Sequence, residues 1–530
     1  MKSSTTEIDG LSTFFTKKSL TGTTALLVYL AIADFLVHMF FSDNYGYFRD
    51  ELYYIVSGTQ HLSLGYVDFP PLVAYIAALL YPISKDSLVS IHVVSALVAS
   101  TTVIVVGMIA RELGGGRKAQ LLAAVCTLVT LAFLADGSEF SPDAFDQLWW
   151  ALLAYVMVRI VHRKEAKSWF LAGLVVGIGL LSKLTIFFFV GALLISFLAI
   201  PSSRKYLRSK WVIVGGLLSL VFILPMIYWN LTNGWPMVQF YLEFRGDVGG
   251  GGPVNFFVSQ LGQTNPLNIP VAIAGLYFFL RSNQGKEFRT FGLTFLILYG
   301  FMTIIDMKPY YLAPAYSMLF AGGALVVEKS SITMKGVSRW LGSRPYIACL
   351  LILTILLAPI VMPILSPATL IKTYGTSTLS SANSNVASGE SGPLPQNLGD
   401  RFGWNTMVST LAQAYTTLPA NEERQACIFA SNYGEASAVN FLGKSLGLPE
   451  AISGHNSYFI WGPDSCTGQV LITVGVPLTS VNSVYKNVSL LTTITCQYCM
   501  DLENNLPVYL CLNPNFTSLT AEWQLVKQYD

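Results

Sequence analysis

Three carboxylates in one short segment are the residues of this chain best suited to chemistry. Asp50 and Glu51 stand side by side in YFRDELYY, and Asp68 precedes the paired prolines of HLSLGYVDFPPL. Carboxylates held close together can take a proton from a hydroxyl group or bind a cation. Asp50 and Glu51 can equally complement the dipole of a helix that begins there. Which use applies depends on the elements that carry them.

The composition of the chain predicts a membrane protein. Of its 530 residues, 53% are hydrophobic and only 12% are charged, which is about half the charge of an ordinary globular protein. The net charge is only +2, so no strong overall field would attract nucleic acid. We therefore expect membrane lipids around the protein and no nucleic-acid partner.

Apolar segments long enough to cross about 30 Å of hydrocarbon recur along the first two thirds of the chain. The stretch 169–200 is too long for one crossing and is interrupted by Lys183, so it predicts two short spans that turn at this lysine. The total is eleven predicted transmembrane helices. The others lie near 23–41, 87–110, 119–135, 144–161, 211–229, 266–281, 290–305, 310–327 and 346–365.

The charges between these segments predict the orientation. Most lysines and arginines fall in one set of loops and most acidic residues in the other, and the basic set is expected in the cytoplasm. This predicts a multi-pass protein of the plasma membrane with a cytoplasmic N-terminal tail at 1–22. The first outer loop, 42–86, predicts two short helices in the membrane interface, separated by Pro70 and Pro71.

The last part of the chain predicts a separate extracytoplasmic domain. A membrane domain over 23–370 is followed by a Ser, Asn and Gly-rich stretch that predicts a flexible linker at 371–398. In 399–530, ACIFASNY, GQVLITVGV and PVYLCLN are typical of strands, and EASAVNFLGKSLG is typical of a helix. We expect a small α/β domain.

Five of the seven cysteines lie in this terminal domain, on the side of the membrane where disulfides persist. A disulfide among Cys496, Cys499 and Cys511 is the favoured interpretation. Free buried thiols and half of a metal site, with Cys496 and Cys499 as a CxxC, are the alternatives.

Several motifs, in order along the chain, resemble one enzyme superfamily. The two outer-loop motifs are followed by SPDAFDQLWWALLAYVMVRIV, GLVVGIGLLSKLTIFFF, WNLTNGWP, KPYYLAP, NYGEASAV and SGHNSYFIWGP. Together they resemble the dolichyl-phosphate-mannose protein mannosyltransferases, namely the bacterial and archaeal members of glycosyltransferase family 39, and the related lipid A aminoarabinose transferase. The resemblance implies a GT-C fold with an active site in the outer loops and a polyprenyl-phosphate-linked sugar as donor.

The resemblance also implies roles for the outer acidic residues. Asp50 matches the general base that would take the proton of the acceptor hydroxyl, and Glu51 is either its helper or a helix cap. Asp68 could bind the acceptor or a cation or could be a turn residue, and Asp143 could bind the same groups or cap a helix. Phe69 departs from the family, whose members often carry a polar residue there. Since phosphate is a good leaving group, one carboxylate suffices and inversion at the sugar carbon is expected.

The leaving phosphate needs cations and hydrogen-bond donors, and few lie on the outer side. Lys308 is the first candidate to bind it, with Tyr310 and Tyr311 beside it in KPYYLAP. Arg245 could make a bidentate contact, and Lys183 carries a charge at membrane depth.

The preferred function is therefore an inverting glycosyltransferase that acts on a hydroxyl of a lipid, glycan or protein. The alternatives are a polytopic transporter or lipid flippase and a non-catalytic receptor. A transporter is less favoured because no internal repeat is visible and the charges lie at one surface rather than at the midplane. No ligand spacing demands a metal, although Asp50, Asp68 and Asp143 could converge on a divalent cation.

Overall fold

The computed structural model describes residues 22–244, 251–333, 340–381 and 391–529. A large helical part precedes a small mixed domain. The principal helices of the helical part are α1 (Thr23–Phe41), α2 (Arg49–Thr59), α3 (Leu72–Ser84), α4 (Leu88–Glu112), α5 (Arg117–Leu128), α6 (Leu131–Gly137), α7 (Pro142–Arg163), α8 (Ser168–Ser182), α9 (Thr185–Ala199), α10 (Lys210–Thr232), α11 (Pro236–Phe244), α12 (Gly252–Thr264), α13 (Ile269–Leu280), α14 (Arg289–Ile304), α15 (Tyr316–Thr333), α16 (Arg344–Leu357), α17 (Pro367–Tyr374) and α18 (Thr376–Ser381).

All eleven segments predicted to cross the membrane contain helix, although the segment 346–365 is helical only as far as Ile360. Within the described residues, five helical segments are long and apolar enough to span it, and α5 with α6 makes a sixth if this pair, bent by 63°, is one span. The predicted break at Lys183 is confirmed, because α8 ends at Ser182 and α9 begins at Thr185. The apolar helices α8, α9 and α16 are shorter than a full crossing. The protein is thus a polytopic helical membrane protein.

The ends of the helices near the site follow local sequence signals. The Ser141 side chain accepts a hydrogen bond from the amide of Ala144 at 3.4 Å, and Pro142 occupies the first turn of α7, where its missing N–H costs nothing. Ser87 caps α4 in the same way. These caps fix where α4 and α7 begin, and so fix the short outer loops that precede them.

The first outer loop forms the two predicted helices, and α2 is covered by protein. Nine of its eleven residues are buried, and it packs against α3 on one side and the terminal domain on the other. A helix with apolar or aromatic residues on several faces, here Leu52, Tyr53, Tyr54, Ile55 and Val56, is stable when covered all round. The cover that the terminal domain provides for α2 was not predicted from the sequence.

The predicted α/β domain is confirmed as a five-stranded sheet with helices. The strands are β1 (Ala426–Ala430), β2 (Ala451–Ile452), β3 (Val470–Val474), β4 (Tyr485–Ile494) and β5 (Leu506–Pro514), in the order β2-β1-β3-β5-β4. β1 is parallel to β2 and β3, whereas β5 is antiparallel to β3 and β4. The main helices here are α19 (Trp404–Thr416), α20 (Tyr433–Leu442) and the short α21 (Ser457–Trp461).

The terminal domain and the first outer loop share one hydrophobic core. Leu52, Ile55 and Val56 of α2 belong to the same buried cluster as Ile428 of β1 and Val439 of α20. Burial of apolar surface contributes roughly 25 cal/mol per Å², so this shared core holds the domain against the loop that carries the acidic residues. The terminal domain is therefore packed on the membrane part and not merely tethered to it.

The predicted linker at 371–398 is wrong for most of the residues that the structure describes. Helices α17 and α18 occupy its first part, and Leu370, Leu379, Leu394 and Leu398 are buried in one cluster with Tyr45. These leucines bury apolar surface. They are widely spaced among Ser and Gly residues, so the composition of the segment predicted a linker instead. Residues 382–390 of the predicted linker lie outside the described residues.

The predicted disulfide is also wrong. Cys427 and Cys466 form the disulfide, while Cys496, Cys499 and Cys511 are free thiols. Cys427 on β1 and Cys466 in the loop before β3 come together because β1 and β3 are adjacent parallel strands. This adjacency cannot be read from cysteine spacing.

Candidate active site

Asp50 lies at the second position of α2, at the contact with the terminal domain. Its Oδ1 accepts a hydrogen bond of 2.7 Å from the hydroxyl of Tyr433, and the Nε of Arg49 lies 3.6 Å from the same oxygen. Within the described part of the chain, Oδ2 accepts no hydrogen bond from a side chain or amide. The Asp50 side chain is 27% exposed. One oxygen is therefore held in place while the other is left to accept a proton.

Glu51 is the alternative to Asp50, but both of its carboxylate oxygens already accept hydrogen bonds from the protein. It is fully buried, and its Oε2 accepts from the Phe48 amide at 2.9 Å, which closes a cap at the start of α2. Its Oε1 accepts from the Phe140 amide at 2.6 Å and pairs with Nε2 of His92 at 2.7 Å. Burial would raise the pKa of Glu51, but these partners hold that pKa below its usual value. The geometry is that of a helix cap.

Asp68 lies under the terminal domain, with both oxygens in contact with hydrogen-bond donors. Tyr53 donates to Oδ1 at 3.0 Å, and the Nδ2 of Asn456 lies 3.4 Å from Oδ2. Burial is the main cause that raises the pKa of Asp68 to about 7; the charge of Asp50 adds to it and the Tyr53 hydrogen bond opposes it. Phe69 is buried, and its ring stacks on that of Tyr66 at 4.6 Å. No polar role exists at position 69.

The residues predicted to hold the donor phosphate converge only in part. Lys183 forms an ion pair with Asp143, and its Nζ lies 4.5 Å from the ring centroid of Tyr311 and 5.1 Å from that of Tyr310. Both tyrosines belong to the 3₁₀ helix Pro309–Ala315, which Lys308 immediately precedes. Arg245 lies outside the described residues.

Two tyrosines link the acidic and the basic side of this region. The pKa of Tyr54 is raised well above its usual value, first by burial and then by the charges of Asp50, Asp68 and Asp143. The pKa of Tyr241 on α11 is raised first by burial and then by Tyr311, Asp68 and Asp143. The charge of Lys183 lowers it. Asp68 and Asp143 act on both tyrosines. Asp50, Asp68 and Asp143 therefore lie near Tyr54, and Lys183 lies with Asp68 and Asp143 near Tyr241.

The acidic residues do not form a metal centre in the described residues. No group of three His, Cys, Asp or Glu side chains there is arranged to hold a metal ion. Asp50, Asp68 and Asp143 instead contact different partners, respectively Tyr433, Tyr53 with Asn456, and Lys183. The three carboxylates are thus not grouped as a metal site among the described residues, and the possible divalent cation stays an untested prediction.

Comparisons with known proteins agree with this picture. Residues 68–229 match the family model described as dolichyl-phosphate-mannose-protein mannosyltransferase. A lipid A galacturonosyltransferase, RgtD from Rhizobium johnstonii, is 25% identical over 267 residues, which cover 49% of this chain and 55% of that protein. The chain thus matches only about half the length of this curated relative.

Solved structures match over most of the chain. ArnT from Cupriavidus metallidurans superimposes with a TM-score of 0.60 at 13% identity, covering 93% of this chain and 98% of ArnT. The chain has the GT-C fold. The structure of the same ArnT bound to undecaprenyl phosphate matches equally well, at 14% identity and with 92% of this chain covered. The oligosaccharyltransferase AglB from Archaeoglobus fulgidus, in complex with an inhibitory peptide and a dolichol-phosphate, matches with a TM-score of 0.51 at 13% identity, covering 87% of this chain and 70% of AglB.

The predicted resemblance to the GT-C superfamily is therefore confirmed, but four residues around the site were missed. Tyr433 and Asn456 reach it from the terminal domain. Arg49 pairs with Asp400 at 3.6 Å, and Arg401 lies 3.6 Å from Glu139, which ties the segment before α19 to the outer loops of the GT-C fold. NYGEASAV and SGHNSYFIWGP contain Tyr433 and Asn456, but nothing in the sequence shows which loop they contact.

Proposed function

We propose that this protein is an inverting glycosyltransferase of the plasma membrane. It transfers a sugar from a polyprenyl-phosphate donor to a hydroxyl group of a lipid, glycan or protein on the extracytoplasmic face, and its N-terminus is cytoplasmic. The observation that carries the proposal is the carboxylate of Asp50, with one oxygen fixed by Tyr433 and the other open, in the same region as Lys183 and the Tyr310–Tyr311 pair. The GT-C fold and the positive-inside pattern support it.

Asp50 is the general base in this proposal. Its Oδ2 accepts the proton of the acceptor hydroxyl as the hydroxyl oxygen attacks the anomeric carbon. The bond between that carbon and the phosphate oxygen breaks at the same time, and the electron pair leaves with the polyprenyl phosphate. Attack opposite the leaving phosphate inverts the configuration at the anomeric carbon.

Lys183 and its neighbours are assigned to the leaving phosphate. The lysine charge offsets the negative charge that grows on the phosphate oxygens, and the hydroxyls of Tyr310 and Tyr311 are hydrogen-bond donors beside it. Lys308, which precedes the tyrosines, supplies a second positive charge. Asp143 keeps Lys183 at this place through their ion pair until the donor arrives.

The test measures transfer of radiolabelled sugar from a panel of polyprenyl-phosphate sugars in membranes that contain equal amounts of wild-type or variant protein. Asp50→Asn keeps the shape of the side chain and removes the base, so a fall of at least about a thousandfold is expected. Asp86→Asn is the matched control, because Asp86 is an exposed aspartate of the same loop whose backbone carbonyl, not its carboxylate, accepts from Tyr47.

Two results would contradict the proposal. Transfer by Asp50→Asn at the wild-type rate would mean that the base is wrongly assigned. If folded wild-type protein consumed no donor from a broad panel with several acceptors, glycosyl transfer itself would be wrong.

A further inference from the structure

The terminal domain inserts a turn and a helix end into the region of the candidate active site. At the first residue of α21, the Ser457 hydroxyl accepts from the Val67 amide at 3.0 Å, and the Ser457 amide donates to the Tyr53 hydroxyl at 3.0 Å. Tyr53 in turn donates to Asp68. Hydrogen bonds from the domain thus reach Asp68 both directly and through Tyr53.

The start of α20 brings Tyr433 to Asp50. Asn432 caps this helix by accepting from the Glu435 amide at 2.9 Å, which fixes the first turn. Gly434 allows the close approach, since a Cβ at this position would lie 2.5 Å from Cγ of Arg49. Helix α20 can therefore pack directly on α2, and a larger residue at 434 would push the two helices apart.

The Tyr433 ring is held by its neighbours independently of its hydroxyl. Its centroid lies 4.7 Å from that of Tyr53 and 5.0 Å from that of His455, and the guanidinium of Arg49 lies 5.6 Å above it. Loss of the hydroxyl would leave these ring contacts intact. The hydroxyl points to Oδ1 of Asp50, with an oxygen to oxygen distance of 2.7 Å.

We infer that Tyr433 is a positioning residue for Asp50, so that the terminal domain completes the acceptor-activating part of the site. The inference rests on the proposed function. A short hydrogen bond to Oδ1 fixes the rotation of the carboxylate and leaves Oδ2 as the oxygen that meets the acceptor hydroxyl. A carboxylate free to rotate presents the correct oxygen in a smaller fraction of encounters, which lowers the rate of the chemical step and leaves donor binding unaffected.

Tyr433→Phe tests this inference in the full-length protein, and Tyr458→Phe is its matched control. Tyr458 is a buried tyrosine of the same domain whose ring also lies against Tyr53. Among the described residues, its hydroxyl bonds only within the domain, to Ser437 at 3.1 Å and Asn440 at 3.2 Å. Both variants lose one tyrosine hydroxyl in a similar setting. We expect Tyr433→Phe to lower kcat by about 10- to 100-fold with the KM for donor within about twofold of wild type. Tyr458→Phe should leave both constants within about twofold.

A second measurement asks whether Tyr433 acts through Asp50. The residual transfer of Asp50→Asn, measured over long incubations, should fall no further when Tyr433→Phe is added, because the group that Tyr433 positions is already gone. A further fall in the double variant would mean that Tyr433 acts on the reaction in another way.

The outcomes separate this inference from the proposed function. Wild-type transfer with an unchanged kcat in Tyr433→Phe would overturn the role of Tyr433 and leave the function standing. If Tyr433→Phe lowered the unfolding midpoint more than Tyr458→Phe and lost activity only in proportion to folded protein, its role would be structural. Absence of transfer by the folded wild type would overturn both.

Discussion

Glu51→Gln distinguishes a structural carboxylate from a chemical one. Glu51 accepts three hydrogen bonds in a fully buried place: the Phe48 amide on Oε2, and the Phe140 amide and Nε2 of His92 on Oε1. Glutamine has one acceptor oxygen and one NH₂ donor in place of the two oxygens. Whichever way the amide is turned, its NH₂ group therefore faces one of the two backbone N–H donors.

The cost follows from these contacts. A change of tautomer lets His92 accept from the new NH₂ group, but neither the Phe48 nor the Phe140 amide can change its role. One buried donor left without an acceptor costs about 1–3 kcal/mol, and the other bonds lose the added strength of a charged acceptor, about 1 kcal/mol each. The variant should therefore unfold with a free energy about 3–5 kcal/mol lower than wild type.

The assay is the unfolding midpoint of detergent-solubilised protein by heat or denaturant, read beside sugar transfer on the same samples. We expect Glu51→Gln to lose stability, with activity falling only as the folded fraction falls. Asp50→Asn should keep the wild-type midpoint and lose transfer. The reasoning would be refuted by a Glu51→Gln variant as stable as wild type, and a catalytic helper would be indicated if that stable variant had lost its transfer activity.

Three further predictions concern other parts of the molecule. The folded-state pKa of about 7 for Asp68 lies above its usual value. The unfolding free energy of wild type should therefore fall as pH rises from about 4 to 7 and then level off. Asp68→Asn, measured over the same range, should lack this slope. Lys183→Met removes the charge beside Tyr311 and should raise the KM for donor at least about tenfold, whereas Lys164→Met, at the end of α7 remote from the site, should leave it unchanged. Cys427→Ser opens a disulfide with a sequence separation of 39 and should cost about 4 kcal/mol of unfolding free energy; dithiothreitol should lower the unfolding midpoint of wild type and Cys496→Ser alike and leave that of Cys427→Ser unchanged.

The sequence predicted the helical segments well because each depends on a local pattern. Apolar length sets a crossing, and a lysine inside an apolar run sets the break at Lys183. The cap of α7 was placed two residues too late, because Ser141 rather than Asp143 caps this helix. The cap formed by Glu51 is also local, since its partner Phe48 is three residues away. Features of this kind need only the chain within a few residues of each position.

The rest of the site depends on contacts between distant residues. Tyr433 is 383 residues from Asp50, and Asn456 is 388 residues from Asp68. Neither contact has a local signal, because it arises only when α20 packs on α2 and closes a shared core. The packing of the terminal domain on α2 could not be predicted for the same reason. Either lipid or protein can cover an amphipathic or aromatic-rich helix, and the tertiary fold decides which.

The hydrogen bonds of the three outer aspartates argue for Asp50 as the base more strongly than acidity does. A pKa of about 7 would suit Asp68 to proton transfer. Its two oxygens, however, contact Tyr53 and Asn456, so a proton accepted by Asp68 would have to displace one of these two hydrogen-bond donors. Asp143 is paired with Lys183. Unlike Asp143, Asp50 is not paired with the lysine assigned to the leaving phosphate, and its partners, Tyr433 and Arg49, lie on a single oxygen. If an acceptor hydroxyl is activated in this region, the open oxygen of Asp50 can receive its proton without breaking a contact that holds the two domains together.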